Sequence, residues 1–158
     1  MALSLREIEC FVFDMDGTIN LGDSLIPGSL ELIEALKTRH KEFYFFTNNS
    51  SRSPKAYIQK LTRLGFSGIT RQHIMTSGDV MIHYLKKYFG TMPTIYLAGT
   101  PELEEQFSSA GIKLLCTGTT TVPDAVVLGF DTTFNFEKAT TICRMISAGA
   151  PFLATNID

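Results

Sequence analysis

A short apolar run that ends on two carboxylates constrains this chain more than any other stretch. Residues 10–13 read Cys-Phe-Val-Phe, and Asp-Met-Asp-Gly-Thr follows directly at 14–18. The run is too short to span a membrane, and it predicts one buried strand of about four to six residues. Asp14 and Asp16 at the end of such a strand repel each other and lose solvation unless a cation or a proton shares their site. We therefore expect a divalent metal at these two residues.

The same stretch is also compatible with simpler structures. Asp and Gly are favoured in turns, so Asp-x-Asp-Gly taken alone also predicts an ordinary turn. A calcium loop that starts at Asp14 is excluded, because its sixth position would be Ile19 and its twelfth Leu25, where glycine and glutamate are required. Gly17 permits a sharp turn or a close approach to a ligand, and Thr18 places a donor beside the acids.

Strand and helix patterns alternate after this motif. The chain has 158 residues, enough for about one domain or for one domain and part of another. Residues 21–26 predict a loop, and residues 43–46 predict a second buried strand that ends on the polar cluster at 47–53. Helices are predicted from Pro27 and from Pro54. Two strand–turn–helix units of about 30 residues each predict a parallel sheet with helices packed on it.

The second half of the chain continues this alternation. Capping and periodicity predict helices that begin near Ser77, Thr100 and Asn135, and strands at 94–98, 112–116, 125–128 and 152–155. The sequence contains no Gly-x-Gly-x-x-Gly, no Walker A motif and no nucleophile-elbow serine. We therefore expect any phosphate binding to come from the ends of the first two strands.

Polar residues follow both of these strands. Asp14 and Asp16 come after the first, and Thr47 and Asn48 come after the second. Ligands of open α/β sheets bind at the carboxyl ends of the strands, so the two groups are expected to converge. A threonine hydroxyl and the N–H groups of a polar turn suit the acceptor oxygens of an ionised phosphate. Taken alone, residues 47–51 are better explained by a turn that caps the next helix, and it is the aspartate motif after the first strand that favours phosphate binding.

Composition argues against several classes of partner. The formal net charge is −2, and the lysines are scattered over the predicted helices, where we interpret them as solvated. No basic patch suited to nucleic acid or to an acidic membrane surface is present. Cys10, Cys116 and Cys143 lie far apart without a Cys-x-x-Cys pair, and are predicted to be reduced core residues of a cytoplasmic protein. Residues 1–9 include no long apolar segment, so neither a signal peptide nor a membrane anchor is expected.

The string Phe-Asp-Met-Asp-Gly-Thr at 13–18 resembles motif I of the haloacid dehalogenase-like (HAD) phosphatases. In that family the first aspartate attacks phosphorus and the second is the general acid and base, which implies catalytic roles for Asp14 and Asp16. Thr47 stands where motif II binds the transferring phosphoryl group. With it, Asn48 and Gly17 are the expected phosphate- or substrate-binding residues. The resemblance also implies Mg²⁺ as cofactor, held by Asp14 and Asp16, the latter through its backbone carbonyl.

The second half resembles the cap module of the NagD or p-nitrophenyl-phosphatase-like branch of this family. The strings that carry this resemblance are Ile-Met-Thr-Ser, Tyr-Leu-Ala-Gly, Pro-Asp-Ala-Val-Val-Leu-Gly and the carboxyl-terminal Gly-Ala-Pro-Phe-Leu-Ala-Thr-Asn-Ile-Asp. The implied fold is α/β, a Rossmann-like parallel sheet of the HAD core with an inserted α/β cap domain. Residues 1–76 would form the amino-terminal part of the core, and residues 77–158 an incomplete cap.

Two family features have no counterpart in this sequence. The family uses a later lysine in a Gly-Lys-Pro context and a later aspartate in a Gly-Asp context, and both are expected at positions after Asp158, where the given sequence stops. We therefore expect an amino-terminal portion that lacks the rest of the core. By itself it is expected to bind Mg²⁺ poorly and to be weakly active or inactive.

The expected function of the complete protein is Mg-dependent hydrolysis of small phosphomonoesters, such as a sugar phosphate, a nucleotide or p-nitrophenyl phosphate, through an aspartyl-phosphate. The resemblance also implies a homo-oligomer formed through the cap. The alternative is a catalytically incomplete phosphate-binding or regulatory module without turnover. A receiver-type signalling domain is disfavoured, because the second strand ends in Thr-Asn-Asn, where a receiver would be expected to end a strand in aspartate.

Overall fold

The computed structural model describes residues 7–156, and the chain divides into two compact units. Unit 1 comprises Met1–Thr47 and Pro54–Met75, and unit 2 comprises Asn48–Ser53 and Thr76–Asp158. Most of the amino-terminal stretch interpreted above, and the last two residues of the carboxyl-terminal string, lie outside the described residues. The assignment of 1–76 to a core and of 77–158 to a cap stays a prediction.

Strands and helices alternate through both units. Unit 1 contains β1 (Cys10–Asp14), β2 (Asn20–Leu21), β3 (Ser24–Leu25), α1 (Ser29–Thr38), β4 (Glu42–Thr47), α2 (Pro54–Arg63), a short 3-10 helix (Arg71–His73) and most of β5 (Ile74–Thr76). Unit 2 contains α3 (Ser77–Tyr88), β6 (Thr94–Ala98), α4 (Pro101–Ser109), β7 (Lys113–Leu114), β8 (Ala125–Leu128), α5 (Phe136–Ser147) and β9 (Phe152–Ala154). The mixed α/β class expected from the sequence is confirmed.

The sheet of unit 1 has the strand order β1-β4-β5. β1 and β4 run parallel, and their register places Asp14 opposite Phe46. Residues 21–26 were predicted to be a loop, but β2 and β3 pair there as a small antiparallel hairpin that turns at Gly22, whose φ is 59°. Each of these strands has two residues, which is too short to produce a periodic pattern.

β1 is an edge strand of this sheet and is buried on one side only. Phe11 and Phe13 pack against the core of unit 1, whereas Cys10 and Asp14 are exposed and Val12 is 65% exposed. The sequence predicted a buried strand, and within residues 7–156 only one face of β1 is covered. A continuous apolar run indicates burial but cannot show whether a neighbouring element covers the second face.

The cysteines are free, as predicted, but the prediction that they are core residues was wrong. Cys10, Cys116 and Cys143 are all exposed. Cys10 lies on the open face of β1, and Cys143 lies on α5 next to the buried Ile142 but on the exposed side of the helix. Cysteine is often buried in proteins, but that general preference says nothing about which face of an element a given position occupies.

The sheet of unit 2 is parallel, with the order β7-β6-β8-β9. Thr100 caps α4 and Asn135 caps α5 through their side chains, as predicted. α3 is capped by Thr76 and not by Ser77, because Thr76 and Asp79 form a reciprocal capping box. The Ser77 hydroxyl instead donates to the Asn48 carbonyl at 2.7 Å.

The core of unit 2 closes around Leu103, which is fully buried on α4. A Cβ atom at Gly78 or Gly99 would lie 2.9 or 2.8 Å from a Leu103 methyl group, and one at Gly129 would lie closer still. Such separations are shorter than van der Waals contact. These three glycines thus allow α4 to approach its neighbours in unit 2 this closely, and a side chain at any of them would force Leu103 to shift.

The segment Asn48–Ser53 is held within unit 2 by hydroxyl groups. Ser50 is fully buried, and its hydroxyl accepts a hydrogen bond from the Phe130 N–H at 2.9 Å. The same hydroxyl is 2.9 Å from that of Thr155. The Thr100 hydroxyl donates to the Ser51 carbonyl at 2.9 Å. The segment that follows β4 therefore has specific partners in unit 2.

A buried ion pair joins the start of α5 to the loop before it. Lys138 donates to Asp131 at 2.6 Å, to the Thr133 hydroxyl at 2.9 Å and to the Gly99 carbonyl at 2.9 Å, and the Asp131 side chain is 1% exposed. Burial alone would raise the pKa of Asp131, but the hydrogen bonds from Lys138 and Thr133 outweigh it, so the pKa lies below its ordinary value. The native state thus favours the ionised carboxylate.

Replacing this carboxylate should destabilise the protein. Asp131→Ala leaves the Lys138 ammonium largely buried without its anion, and we expect a loss of about 3 kcal/mol in the free energy of unfolding by urea titration. The pKa of Asp131 is lowered in the folded state. The unmodified protein should therefore exceed Asp131→Ala in stability by the whole amount above pH 3.8, the ordinary pKa of aspartate, and by less as the pH falls below that value. Glu137→Gln, a change at an exposed neighbour, is the control. Equal effects of both changes would contradict the assignment.

No helix among residues 7–156 combines the length and the apolarity that crossing a membrane requires.

Candidate active site

The predicted site residues of unit 1 lie at the ends of two neighbouring strands. Asp14 is the last residue of β1 and is exposed, and Thr47 is the last residue of β4 and is 2% exposed. Because β1 and β4 are adjacent and parallel, with Asp14 opposite Phe46, both residues lie at the same edge of the sheet. The strand adjacency expected from the sequence is confirmed. The sequence did not predict that Thr47 would be almost fully buried.

The turn after β1 is closed by its own backbone. The Met15 carbonyl accepts hydrogen bonds from the N–H groups of Thr18, Ile19 and Asn20 at 3.3, 3.0 and 3.1 Å. Gly17 has a φ of 93°, a conformation that other residues rarely adopt, and its N–H donates to the Asn20 carbonyl at 2.7 Å. Gly17 therefore shapes the turn, while its N–H is engaged within it.

Asp16 extends from this turn toward two donors. Its Oδ1 accepts a hydrogen bond from the Lys60 Nζ at 3.1 Å and another from the Asn20 Nδ2 at 2.9 Å. The Asp16 side chain is 48% exposed, whereas that of Lys60 is 9% exposed. The pair thus joins a mostly buried ammonium to a carboxylate that remains open to solvent on one side.

Asn20 is fully buried beneath Asp16. Its Nδ2 donates to the Gly22 carbonyl at 3.0 Å as well as to Asp16, so the orientation of the amide is fixed by two acceptors. Within the part of the chain that the structure describes, the Asn20 Oδ1 is buried and has no hydrogen-bond partner. Leaving a buried acceptor unpaired costs about 1–3 kcal/mol of folding free energy, so this unpaired oxygen by itself destabilises the folded protein.

Lys60 and Asn20 were not predicted as site residues. The interpretation of the lysines as solvated was wrong for Lys60, which is 7% exposed. The sequence did contain a pattern that indicates burial of Lys60. It shares the i, i+3, i+4, i+7 spacing of the buried face of a helix with Tyr57, Leu61 and Leu64. An ionisable residue within such a stripe needs a partner. Asn20 gave no comparable signal, since asparagine is common in turns.

Asn48 belongs to unit 2, where it begins the segment described above. Its side chain is exposed and its carbonyl accepts the hydrogen bond from Ser77. The other predicted phosphate-binding residues, Thr47 and Gly17, belong to unit 1 together with Asp14 and Asp16. The roles assigned to these residues stay predictions.

The donors near Asp14 suit Mg²⁺ in kind but form only part of a site. Asp14 offers an exposed carboxylate, and the Asp16 backbone offers a carbonyl, both of them oxygen donors of the type that Mg²⁺ prefers. The Asp16 side chain is less suitable, because its Oδ1 already faces the ammonium of Lys60. Between residues 7 and 156, no group of three or more His, Cys, Asp or Glu side chains is arranged to hold a metal ion.

Comparisons with known proteins bear on the family of this chain. A family model described as haloacid dehalogenase-like hydrolase matches residues 11–113. Human glycerol-3-phosphate phosphatase is 30% identical, over 98% of this chain and 55% of its own length. The chain thus spans about half the length of the curated relatives it matches.

Solved structures extend the similarity to the fold. The 4-nitrophenylphosphatase of Thermotoga maritima is 40% identical with a TM-score of 0.88, over 97% of this chain and 56% of that one. A glycerol phosphate phosphatase from Mycobacterium tuberculosis, solved in complex with magnesium, is 28% identical with a TM-score of 0.87, over 96% of this chain and 45% of that one. The Rossmann-like arrangement expected from the sequence is therefore the fold of known phosphatases.

Proposed function

This chain belongs to the haloacid dehalogenase-like hydrolase family, and from that premise we propose that it carries the nucleophile and the general acid of a Mg-dependent phosphomonoester hydrolase. The observation that supports this most directly is the placement of Asp14 and Thr47 at the ends of adjacent parallel strands. Asp16 follows Asp14 by two residues, on a turn that leaves about half of its side chain exposed. One exposed carboxylate is thus available to attack, and a second is available to move a proton.

The reaction has two displacements at phosphorus. An Asp14 oxygen attacks in line, the bond from phosphorus to the leaving oxygen breaks, and an aspartyl-phosphate forms. Asp16 donates its proton to the leaving oxygen in this step. Asp16 then takes a proton from water as that water attacks phosphorus, which releases inorganic phosphate and restores Asp14. Each carboxylate thereby returns to its starting state.

The remaining predicted residues hold the substrate. Thr47 is proposed to bind the transferring phosphoryl group at the strand ends, and Gly17, which has no side chain, to let that group approach the backbone of the turn closely. Asn48 follows Thr47 directly in the chain. The Asp14 carboxylate and the Asp16 carbonyl would hold Mg²⁺, which when bound supplies positive charge against the phosphoryl oxygens. A cytoplasmic location and a homo-oligomer formed through residues 77–158 stay predictions.

The substrate class that we propose is a small phosphomonoester. Support comes from the names of the relatives, which include glycerol-3-phosphate phosphatase, phosphoglycolate phosphatase and 4-nitrophenylphosphatase. The protein expressed from its own gene should release phosphate from p-nitrophenyl phosphate, glycerol phosphate or phosphoglycolate when MgCl₂ is present, and should not do so in EDTA. Bis(p-nitrophenyl) phosphate, a diester, is the control and should not be cleaved.

A second candidate is a module that binds phosphate esters without turnover. It is favoured by the incomplete set of metal-binding side chains within residues 7–156. Calorimetric titration with inorganic phosphate separates the two functions. Binding of phosphate without hydrolysis of any monoester would replace the hydrolase proposal with the binding module.

A further inference from the structure

We propose that Lys60 and Asn20 are positioning residues, which hold Asp16 so that its Oδ2 exchanges the proton during catalysis. This inference rests on the proposed function, because it concerns the general acid of that reaction. Sequence reasoning and the family comparison assign neither residue a role. Both lie outside the motifs that carry the resemblance, Lys60 on α2 and Asn20 at the start of β2.

The first support is that both donors use the same oxygen. Lys60 Nζ lies 3.1 Å from the Asp16 Oδ1, and Asn20 Nδ2 lies 2.9 Å from that oxygen. Two donors on one oxygen restrict rotation of the carboxyl group and make Oδ1 the acceptor in both protonation states. The proton of the neutral acid then resides on Oδ2. Asp16 can lose and regain that proton without giving up either hydrogen bond.

The second support is the burial of the lysine. Lys60 is 7% exposed and lies on the same face of α2 as the fully buried Leu61 and Tyr57, which is 1% exposed. Lysines are rarely buried unless they are paired, because the ammonium loses its hydration. Lys55, on the same helix, is exposed as is usual for lysine. The partner that accounts for the position of Lys60 is therefore Asp16.

The third support is the rigidity of the amide. The Asn20 backbone N–H donates to the Met15 carbonyl, and the Asn20 carbonyl accepts from the Gly17 N–H, so both backbone groups of Asn20 are fixed in the turn. Its side chain bridges Asp16 and the Gly22 carbonyl, while its own Oδ1 is buried without a partner in the described part of the chain. Its position is accounted for by the bond it gives to Asp16.

The inference makes a distinctive kinetic prediction. An alkyl phosphate needs a proton on its leaving oxygen, whereas p-nitrophenyl phosphate has an activated leaving group and needs little protonation. Lys60→Met keeps the length and apolar volume of the side chain but removes the donor. We expect kcat/KM for glycerol phosphate to fall about tenfold more than kcat/KM for p-nitrophenyl phosphate. The ratio kcat/KM is used because it reports only the steps up to departure of the leaving group.

Three further variants make the test specific. Lys60→Arg restores a charged donor and should recover most of the glycerol phosphate rate. Lys60→Gln keeps a neutral donor and should give an intermediate ratio, so the test does not depend on one variant folding. Lys55→Met is the matched control on the same helix and should change neither rate. Each folded state is checked by circular dichroism and by its melting temperature.

The possible results separate this inference from the function on which it rests. If the unmodified protein hydrolyses neither ester, both the proposed function and the positioning role are overturned. If it hydrolyses both esters and folded Lys60→Met lowers the two kcat/KM values equally or not at all, only the positioning role is overturned. A selective loss for glycerol phosphate, with recovery in Lys60→Arg, supports both.

Discussion

In the protein expressed from its own gene, Asp14→Asn should lower turnover of p-nitrophenyl phosphate by about 10⁴-fold or more, because an amide of the same shape cannot attack phosphorus. Binding of the ester should survive, since the turn after β1 and the end of β4 are unchanged. Rapid acid quench with ³²P-labelled substrate should find no covalent label on this variant. Titration calorimetry with inorganic phosphate measures the binding that remains.

A second aspartate of unit 1 provides the matched control. Asp23 is exposed in the turn between β2 and β3 and has no assigned role, so Asp23→Asn should turn over substrate like the unmodified protein. If Asp14→Asn were labelled as strongly as the unmodified protein, Asp14 would not be the nucleophile. The family and the fold would stand, but the assignment of roles would have to be revised.

An Asp16→Asn variant should fail in a different way. The nucleophile remains, so an activated ester can still phosphorylate Asp14, but no base activates water against the aspartyl-phosphate. Acid quench should therefore show a covalent label that forms and then persists. Steady-state turnover should fall by about 10²- to 10⁴-fold, the usual contribution of a positioned general acid and base.

The comparison with Asp14→Asn decides between two roles for Asp16. A residue that only shaped the turn would slow formation and breakdown of the label together when replaced. A residue that transfers protons should slow breakdown far more than formation from p-nitrophenyl phosphate. Absence of label in both variants would mean that Asp16 is needed for the first displacement itself. That result would contradict the proposed role of Asp16 as the base that activates water in the second displacement.

The sequence predicted the parts of the fold that follow from local signals. β6 and β8 were predicted at their observed bounds, and the side-chain caps at Thr100 and Asn135 were predicted correctly. These features depend on short runs of apolar residues and on capping residues at fixed offsets. The adjacency of the ends of β1 and β4 followed from the same local alternation, because sequential strands of such folds often pair in parallel.

Features that depend on distant neighbours were missed. β5 was not predicted as a strand, since three residues carry no periodicity and it is its place beside β4 that makes them a strand. The open face of β1 and the exposure of Cys10 depend on what covers the sheet, which no local pattern encodes. Lys60 pairs with a carboxylate 44 positions earlier in the chain. Partners this distant can be inferred only once the helix and the turn have been placed together.

The hydrogen bond between the hydroxyl groups of Ser50 and Thr155 has a consequence for the order in which the chain folds during its synthesis. Its two residues are 105 positions apart, and a ribosome adds about 5–20 residues per second. The segment Asn48–Ser53 therefore leaves the ribosome about 5–20 s before this partner exists. Pro54–Met75 is synthesised early in that interval and can fold, while the residues that bury Ser50 are still incomplete. The segment that joins β4 to α2 is thus among the last parts of the described chain to reach its final position.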